Sequence, residues 1–339
     1  KDSFMFKIAF SLLLLVITTF TPVVYAYSNF AERPDVQAFI QHMVKKYHFK
    51  QAQLETLFSE VKVRPQVVQQ IKKPAESEAW YIYQKIFITE SRIQQGVDFW
   101  QKHEAALRKA EKTYGIPASI IVATIGVESK YGEKIGAHRV IDALTNLAFS
   151  ESRRANFFRK ELEQFLLLTR EEDLDPTKIM GSYAGAIGQP QFMPSSYRHY
   201  AVDFSNSGKT DLMYDQVDVI GSIANYYNKN GWKQYWPVAM PAKIIGSRFQ
   251  YLTRTGRIKQ PLTVGELSEY GVVSKYKIND DHLKVKVLEL ENRYNAEYWL
   301  TFHNFNVIKR YNASNLYAMA VFQLSSYIDY AYKQRKGNG

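Results

Sequence analysis

The segment Ile120-Ile121-Val122-Ala123-Thr124-Ile125-Gly126-Val127-Glu128 constrains this chain more than any other. Apolar residues separated only by small ones predict a buried helical segment, opened by Pro117 and closed by an acid. A low-dielectric site disfavours the charged form of a carboxylate. An enzyme uses such a site to keep a general acid protonated near neutral pH. A polar, glycine-punctuated loop from Gly181 to Tyr197 follows. The two together suggest an acid in an apolar wall, faced by a loop able to contact a polar ligand.

The 339 residues are enough for one large domain or two smaller ones with a substantial core. The formal charge, 44 − 33 = +11, fits an anionic partner. No RNP, zinc-finger or helix-turn-helix signature points to nucleic acid. Wall polymer and membrane surface remain compatible with the charge. Tyrosine is abundant, at 24 residues. Its flat apolar face and polar tip suit sugar rings, although many tyrosines serve packing alone.

Lys7, the apolar stretch from Ile8 to Phe20 and Val24-Tyr25-Ala26 read as a cleavable secretory signal over residues 1–26, giving a periplasmic protein that begins near Tyr27. An uncleaved membrane anchor is the alternative. With no cysteine, disulfides, a Cys/His metal site and a lipoprotein anchor are not expected.

Periodicity predicts helices over Asp35–Phe58, Glu76–Phe87, Ser91–Thr113, Ile141–Leu147, Ala155–Thr169, Gly221–Lys229 and Ser314–Arg335. Residues 59–74 read as a connection. Between 237 and 300 prolines appear, and Val285-Lys-Val-Leu-Glu-Leu-Glu alternates as a strand does. The chain is therefore mainly α with a small β-containing insertion.

Several motifs in order resemble the lytic murein transglycosylase B family: Glu128-Ser-Lys-Tyr-Gly, the Ala184–Tyr197 loop, and Arg310-Tyr-Asn-Ala-Ser-Asn-Leu-Tyr. Trp80-Tyr-Ile-Tyr83, Ser152-Arg153-Arg154 and Tyr200-Ala-Val-Asp203-Phe add to the resemblance, which spans roughly residues 75–330. It implies a lysozyme-like helical core with an extra helical lobe: an N-terminal helical segment over 27–75 and a catalytic domain over 76–339, with an inserted lobe at about 203–300. It also implies cleavage of the β-1,4 bond between N-acetylmuramic acid and N-acetylglucosamine in peptidoglycan. The muramoyl 6-hydroxyl, not water, attacks C1 and leaves a 1,6-anhydro end.

By the same resemblance Glu128 is the acid/base, and Ser182 and Gln191 hold Glu128 or the N-acetyl group. Tyr83, Tyr226, Tyr311, Asn312 and Tyr317 line the cleft, and Arg153 and Arg154 meet the peptide stem. No cofactor is required. The partner is the glycan strand, with wall-synthesis proteins as further candidates, and the enzyme acts as a monomer. Asp203, Ser205, Ser207, Asp211 and Asp218 resemble part of an EF-hand loop with Gly208 at the sharp turn. Ser207 and Tyr214 depart from that pattern, so an Asx-type turn competes with a structural calcium site. Two other functions compete with the main one. A water-using hydrolase would need a second carboxylate, for which Asp203 or Glu133 is available. A non-catalytic wall-binding protein would not need Glu128.

Overall fold

A computed structural model of the chain describes residues 29–71 and 78–337. The expected signal segment lies outside the described residues. The first helical stretch breaks into α1 (Pro34–Tyr47) and α2 (Gln51–Ser59), because His48 ends α1 in the left-handed conformation. The connection that follows contains one short helix, α3 (Pro65–Gln70). After α4 (Trp80–Phe87), the expected helix over 91–113 divides at His103 into α5 (Glu90–Lys102) and α6 (Glu104–Tyr114).

Pro117 caps α7 (Ala118–Ser129), as the sequence suggests. Every residue from Ile120 to Val127 is buried. A helix apolar all round must sit inside others, and α7 packs against α5, α6, α11 (Gln216–Lys229) and α14 (Asn315–Gly337). Each fully buried Ile or Val here contributes about 1.5–3 kcal/mol. A second helical layer, α8 (Val140–Ala148), α9 (Ala155–Glu171) and α10 (Pro194–Tyr200), lies beside it. A two-stranded ribbon, β1 (His138–Arg139) with β2 (Met180–Gly181), leads into the polar loop.

The β-containing insertion is a five-stranded antiparallel sheet with its own small apolar core. Its strands are β3 (Ala239–Ile244), β4 (Leu262–Thr263), β5 (Val272–Ser274), β6 (Lys284–Glu291) and β7 (Ala296–Thr301), in the order β4-β6-β7-β3-β5. The short helix α12 (Val264–Ser268) joins β4 to the segment before β5. Alternation in β6 turns Val285 and Val287 inward and Lys284 and Lys286 outward, as its sequence predicts. The sheet begins at Ala239. Helix α11 lies within the 203–300 span that the resemblance implies for the inserted lobe, and its buried residues pack in the larger helical core. Its start at Gln216 is set by Asp215, whose carboxylate accepts from the N–H groups of Val217 and Asp218. From β7 the chain enters α13 (His303–Tyr311) and then α14, returning to α7. No described helix is long and apolar enough to cross a membrane.

Candidate active site

Glu128 lies in the last turn of α7 and is only partly exposed. The turn after it holds Lys130, Tyr131 and Gly132 at φ of 53°, 60° and 92°. Two consecutive non-glycine residues in that region are strained, and such strain persists only when the surroundings hold it. Here Ser129 donates to the Ile125 carbonyl and accepts from Gly132 N–H, while Lys134 N–H returns to the Ser129 carbonyl at 2.8 Å. Tyr131 folds back over α7 and donates to the Arg92 carbonyl at 2.8 Å. Gly126 makes room for this, since a Cβ there would lie 2.5 Å from the Tyr131 hydroxyl. The small residue two positions before the acid is thus a packing requirement of the turn.

A group of tyrosines faces Glu128. Tyr317, on α14, is buried and donates to Glu128 Oε1 at 2.6 Å. Tyr311 stacks on Tyr317 at 6.3 Å and meets Tyr226 at 4.7 Å and Tyr227 at 5.7 Å. Tyr226 donates to the Arg310 carbonyl, and Tyr227 shares a 2.8 Å hydrogen bond with Thr124 on α7. Burial first, and then the Glu128 charge and the neighbouring tyrosines, pushes the phenols of Tyr311 and Tyr317 far up; Tyr226 and Tyr227 move the same way, again through burial first. These hydroxyls therefore stay protonated and act as donors, not as acids.

The loop is fastened to the same group. Tyr311 donates to the Pro190 carbonyl, and Phe192 packs on Tyr226 and Tyr311. Ser182 Oγ accepts from the N–H groups of Ala184 and Ala186, so its oxygen shapes the loop. The Gln191 amide donates to the carbonyls of Ile135 and Gly188 at 3.1 and 2.8 Å, bracing the loop against the segment after Glu128. Gln189, which the sequence pattern does not single out, is buried and ties the loop to Leu212 and Met213.

Tyr83 is buried on α4 beside Trp80 and Phe87, and Asn312 accepts from Ser314 N–H at the turn between α13 and α14. Arg153 and Arg154 precede α9. Arg154 lies over the rings of Phe157 and Phe158. Glu133 pairs with Lys130 at 2.7 Å and accepts from Gln95 at 3.0 Å.

The residues of the EF-hand-like stretch serve their own loop. Asp203 accepts from Ser207 and Gly208 N–H, Asp211 from Met213 and Tyr214 N–H, and Asp218 from Phe204, Ser205 and Asp211 N–H. Desolvation raises the Asp203 value, but the amides of Gly208 and Ser207 outweigh it and hold the carboxyl below its ordinary range. Ser207 offers only a neutral oxygen, and among the described residues no group of three His, Asp or Glu could hold a metal. A hard dication asks for several carboxylates turned toward one point. This set does not fit that demand.

A mainly helical, lysozyme-like fold that sets one carboxylate against a group of tyrosines is the architecture of a lytic transglycosylase. The chain belongs to the transglycosylase SLT domain family, whose model matches residues 31–326. It is 40% identical over 306 residues to the membrane-bound lytic murein transglycosylase B of Escherichia coli K12, covering 87% of this chain and 83% of the relative. Its fold superposes on the soluble lytic transglycosylase SltB1 of Pseudomonas aeruginosa with a TM-score of 0.82 and 44% identity, covering 88% of this chain and 99% of the other. The E. coli transglycosylase Slt35, solved in complex with bulgecin A and in complex with calcium, aligns with a TM-score of 0.81 and 39% identity over 89% of this chain and 95% of that one.

Proposed function

We propose that this enzyme cleaves the bond between N-acetylmuramic acid and N-acetylglucosamine in peptidoglycan without water, with Glu128 as the one acid/base. The observation that carries this reading is the Tyr317–Glu128 hydrogen bond, which ties one carboxylate to a stacked tyrosine group. Glycosidases that use water need two carboxyl groups across the scissile bond. Glu133 is engaged by Lys130 and Gln95, and Asp203 by its own loop.

Protonated Glu128 gives its proton to the glycosidic oxygen as the C1–O4 bond breaks and charge develops at C1. The resulting carboxylate, held by the Tyr317 hydroxyl, then takes the proton of the muramoyl 6-hydroxyl. O6 closes on C1, and Glu128 is protonated again. The nucleophile belongs to the substrate, so positioning supplies what a second carboxylate would otherwise do; intramolecular attack reaches effective molarities of about 10⁵–10⁸ M. Tyr226, Tyr311 and Asn312 then bound the sugar, while Ser182 and Gln191 set the loop that presents it.

The same reading places the enzyme in the periplasm, exported by residues 1–26, acting as a monomer on glycan strands. It keeps 27–75 as an N-terminal helical segment beside the catalytic domain, and treats the 203–218 stretch as a calcium-independent turn. The test is Glu128→Gln, which keeps size and hydrogen-bonding shape but carries no transferable proton. Formation of anhydro-muropeptides, read by mass spectrometry, should fall to below about 1% of wild type with the melting temperature retained. A folded variant that keeps more than about a tenth of the activity overturns the assignment.

A further inference from the structure

A cavity of about 390 Å³ opens where the sheet meets the helical core, away from Glu128. Lys233, Trp236, Asp280, Lys284, Lys286 and His303 are among the residues that line it. Its walls are built in advance. Asn304, fully buried, accepts from Lys233 N–H and donates to the carbonyls of Lys233 and Trp236 at 2.8 and 2.9 Å. This fixes the turn that presents Trp236, which stays 41% exposed. The Lys233 ammonium sits 4.0 Å over the Trp236 ring, and His303 meets the ring edge-on while donating to the Gly231 carbonyl.

The positive charge here is under-compensated. Among the described residues, none of the ion pairs includes Lys233, Lys284 or Lys286. Asp280 is turned to the N–H of His282, and Glu266, which feels Lys284, is committed to its helix cap on Thr263. Nearby Lys309 is held below its ordinary value first by burial and then by the charge of Lys286. A preformed concave site of this size with a few convergent polar groups is the usual form of a ligand pocket. Cations beside an exposed indole select an anion carried on an apolar or peptide frame.

Helix α13 connects this pocket to the active site. His303, at its first position, lines the pocket, and Tyr311, at its last, belongs to the tyrosine group. Nine helical residues span roughly 13 Å. A peptide stem of four residues, fully extended, reaches about 13–14 Å. We infer that the Lys233–Trp236–Lys284–Lys286 pocket is a second substrate site, which takes the carboxylates of a peptidoglycan peptide stem while its sugar lies at Glu128. The inference rests on the peptidoglycan reading above. On it, the sheet selects for glycan that still carries its peptides.

The probe is the free anionic stem pentapeptide, which has no glycosidic bond, so its binding is read by calorimetry independently of Glu128. Wild type should bind it, more weakly as salt rises. Lys284→Ala/Lys286→Ala and Trp236→Ala should each weaken binding at least about tenfold, the loss of one charge-assisted or stacking contact. A stem with its carboxylates amidated should bind wild type no better than the acid form binds the double variant. Both variants should still convert peptide-free glycan to anhydro products at the wild-type rate, which shows that they fold. Unchanged pentapeptide affinity in the variants, or no binding to wild type, overturns the inference. Peptide binding in a chain that makes no anhydro product would instead uphold the pocket and sink the catalytic reading.

Discussion

The helical core and the sheet insertion bury apolar surface in opposite ways. From Ile120 to Val127 of α7 every residue is buried, and even Thr124 and Tyr227 satisfy each other inside. In the insertion one face of β6 is buried while the other carries Lys284 and Lys286 outward. On the readings proposed above, the difference matches what each region holds. A proton transfer needs a carboxylate fixed to a fraction of an ångström, and packing from four helices supplies that. Recognition of a mobile, charged polymer needs exposed cations on a framed surface, which a one-sided sheet supplies at little cost to its core.

The sharpest way to break this contrast is to hollow out each core in turn. Ile121→Ala, on α7, should cost about 2–5 kcal/mol of stability, and turnover should fall with it because the cavity lies on the same helix as Glu128. Leu300→Ala, in the sheet core, should lower the melting temperature comparably but leave conversion of peptide-free glycan largely intact. Equal losses of turnover would mean that the sheet supports the acid as directly as α7 does.

Tyr317→Phe sharpens the same contrast at one atom. The ring keeps its packing, but Glu128 loses the hydrogen bond from the Tyr317 hydroxyl. A hydrogen bond to a charged group contributes about 1.5–3 kcal/mol, so turnover should drop roughly 10–100-fold with little change in melting temperature. Unchanged kinetics would remove Tyr317 from the mechanism.

A smaller effect belongs to the N-terminal helix. Glu163, on α9, is held by Tyr47, by His42 at 2.9 Å and by Lys46 at 3.4 Å, all on α1. Desolvation pushes its carboxyl up, but these partners outweigh that and leave it below its ordinary value. A depressed folded value stabilises the protein above the unfolded value, near pH 4.3, and the contribution is lost as pH falls through the folded one. Glu163→Gln should therefore cost about 1 kcal/mol at neutral pH and flatten the acid limb of the stability curve below pH ~4.3. An acid limb identical to wild type would discount this contact.

The smallest expected effect is that of calcium. A bound ion at a hundredfold excess over its dissociation constant would add about 2.7 kcal/mol. With Asp203, Asp211 and Asp218 already turned to backbone N–H groups, thermal melts in millimolar calcium should match melts in chelator. A rise that Asp203→Ala abolishes would restore the metal site.

The contrast also separates what is legible in the sequence from what is not. Residues 120–128 announce a buried helix ending in an acid because no alternative periodicity competes there. The alternation in β6 is equally plain. The breaks at His48 and His103 are hidden, since neither is a glycine or proline; His48 closes α1 in the left-handed conformation and His103 closes α5 through its N–H to the Phe99 carbonyl. The change of character at 237 is legible from its prolines and alternation, and the sheet begins at Ala239, while α11 before it contributes Tyr226 and Tyr227 to the main core. In the site, Glu128 and the tyrosines are readable from motifs. The bracing by Gln189 and the pocket built on Asn304 are not, because each depends on carbonyls far away in sequence.

On the proposed mechanism one carboxylate suffices because the substrate supplies its own nucleophile. Digestion of purified peptidoglycan in heavy-oxygen water tests it directly. Mass spectrometry of the muropeptides should show 1,6-anhydro ends with no heavy oxygen incorporated by wild type, and no product from Glu128→Gln. Reducing ends that carry heavy oxygen would show that water attacks C1, and would contradict the account.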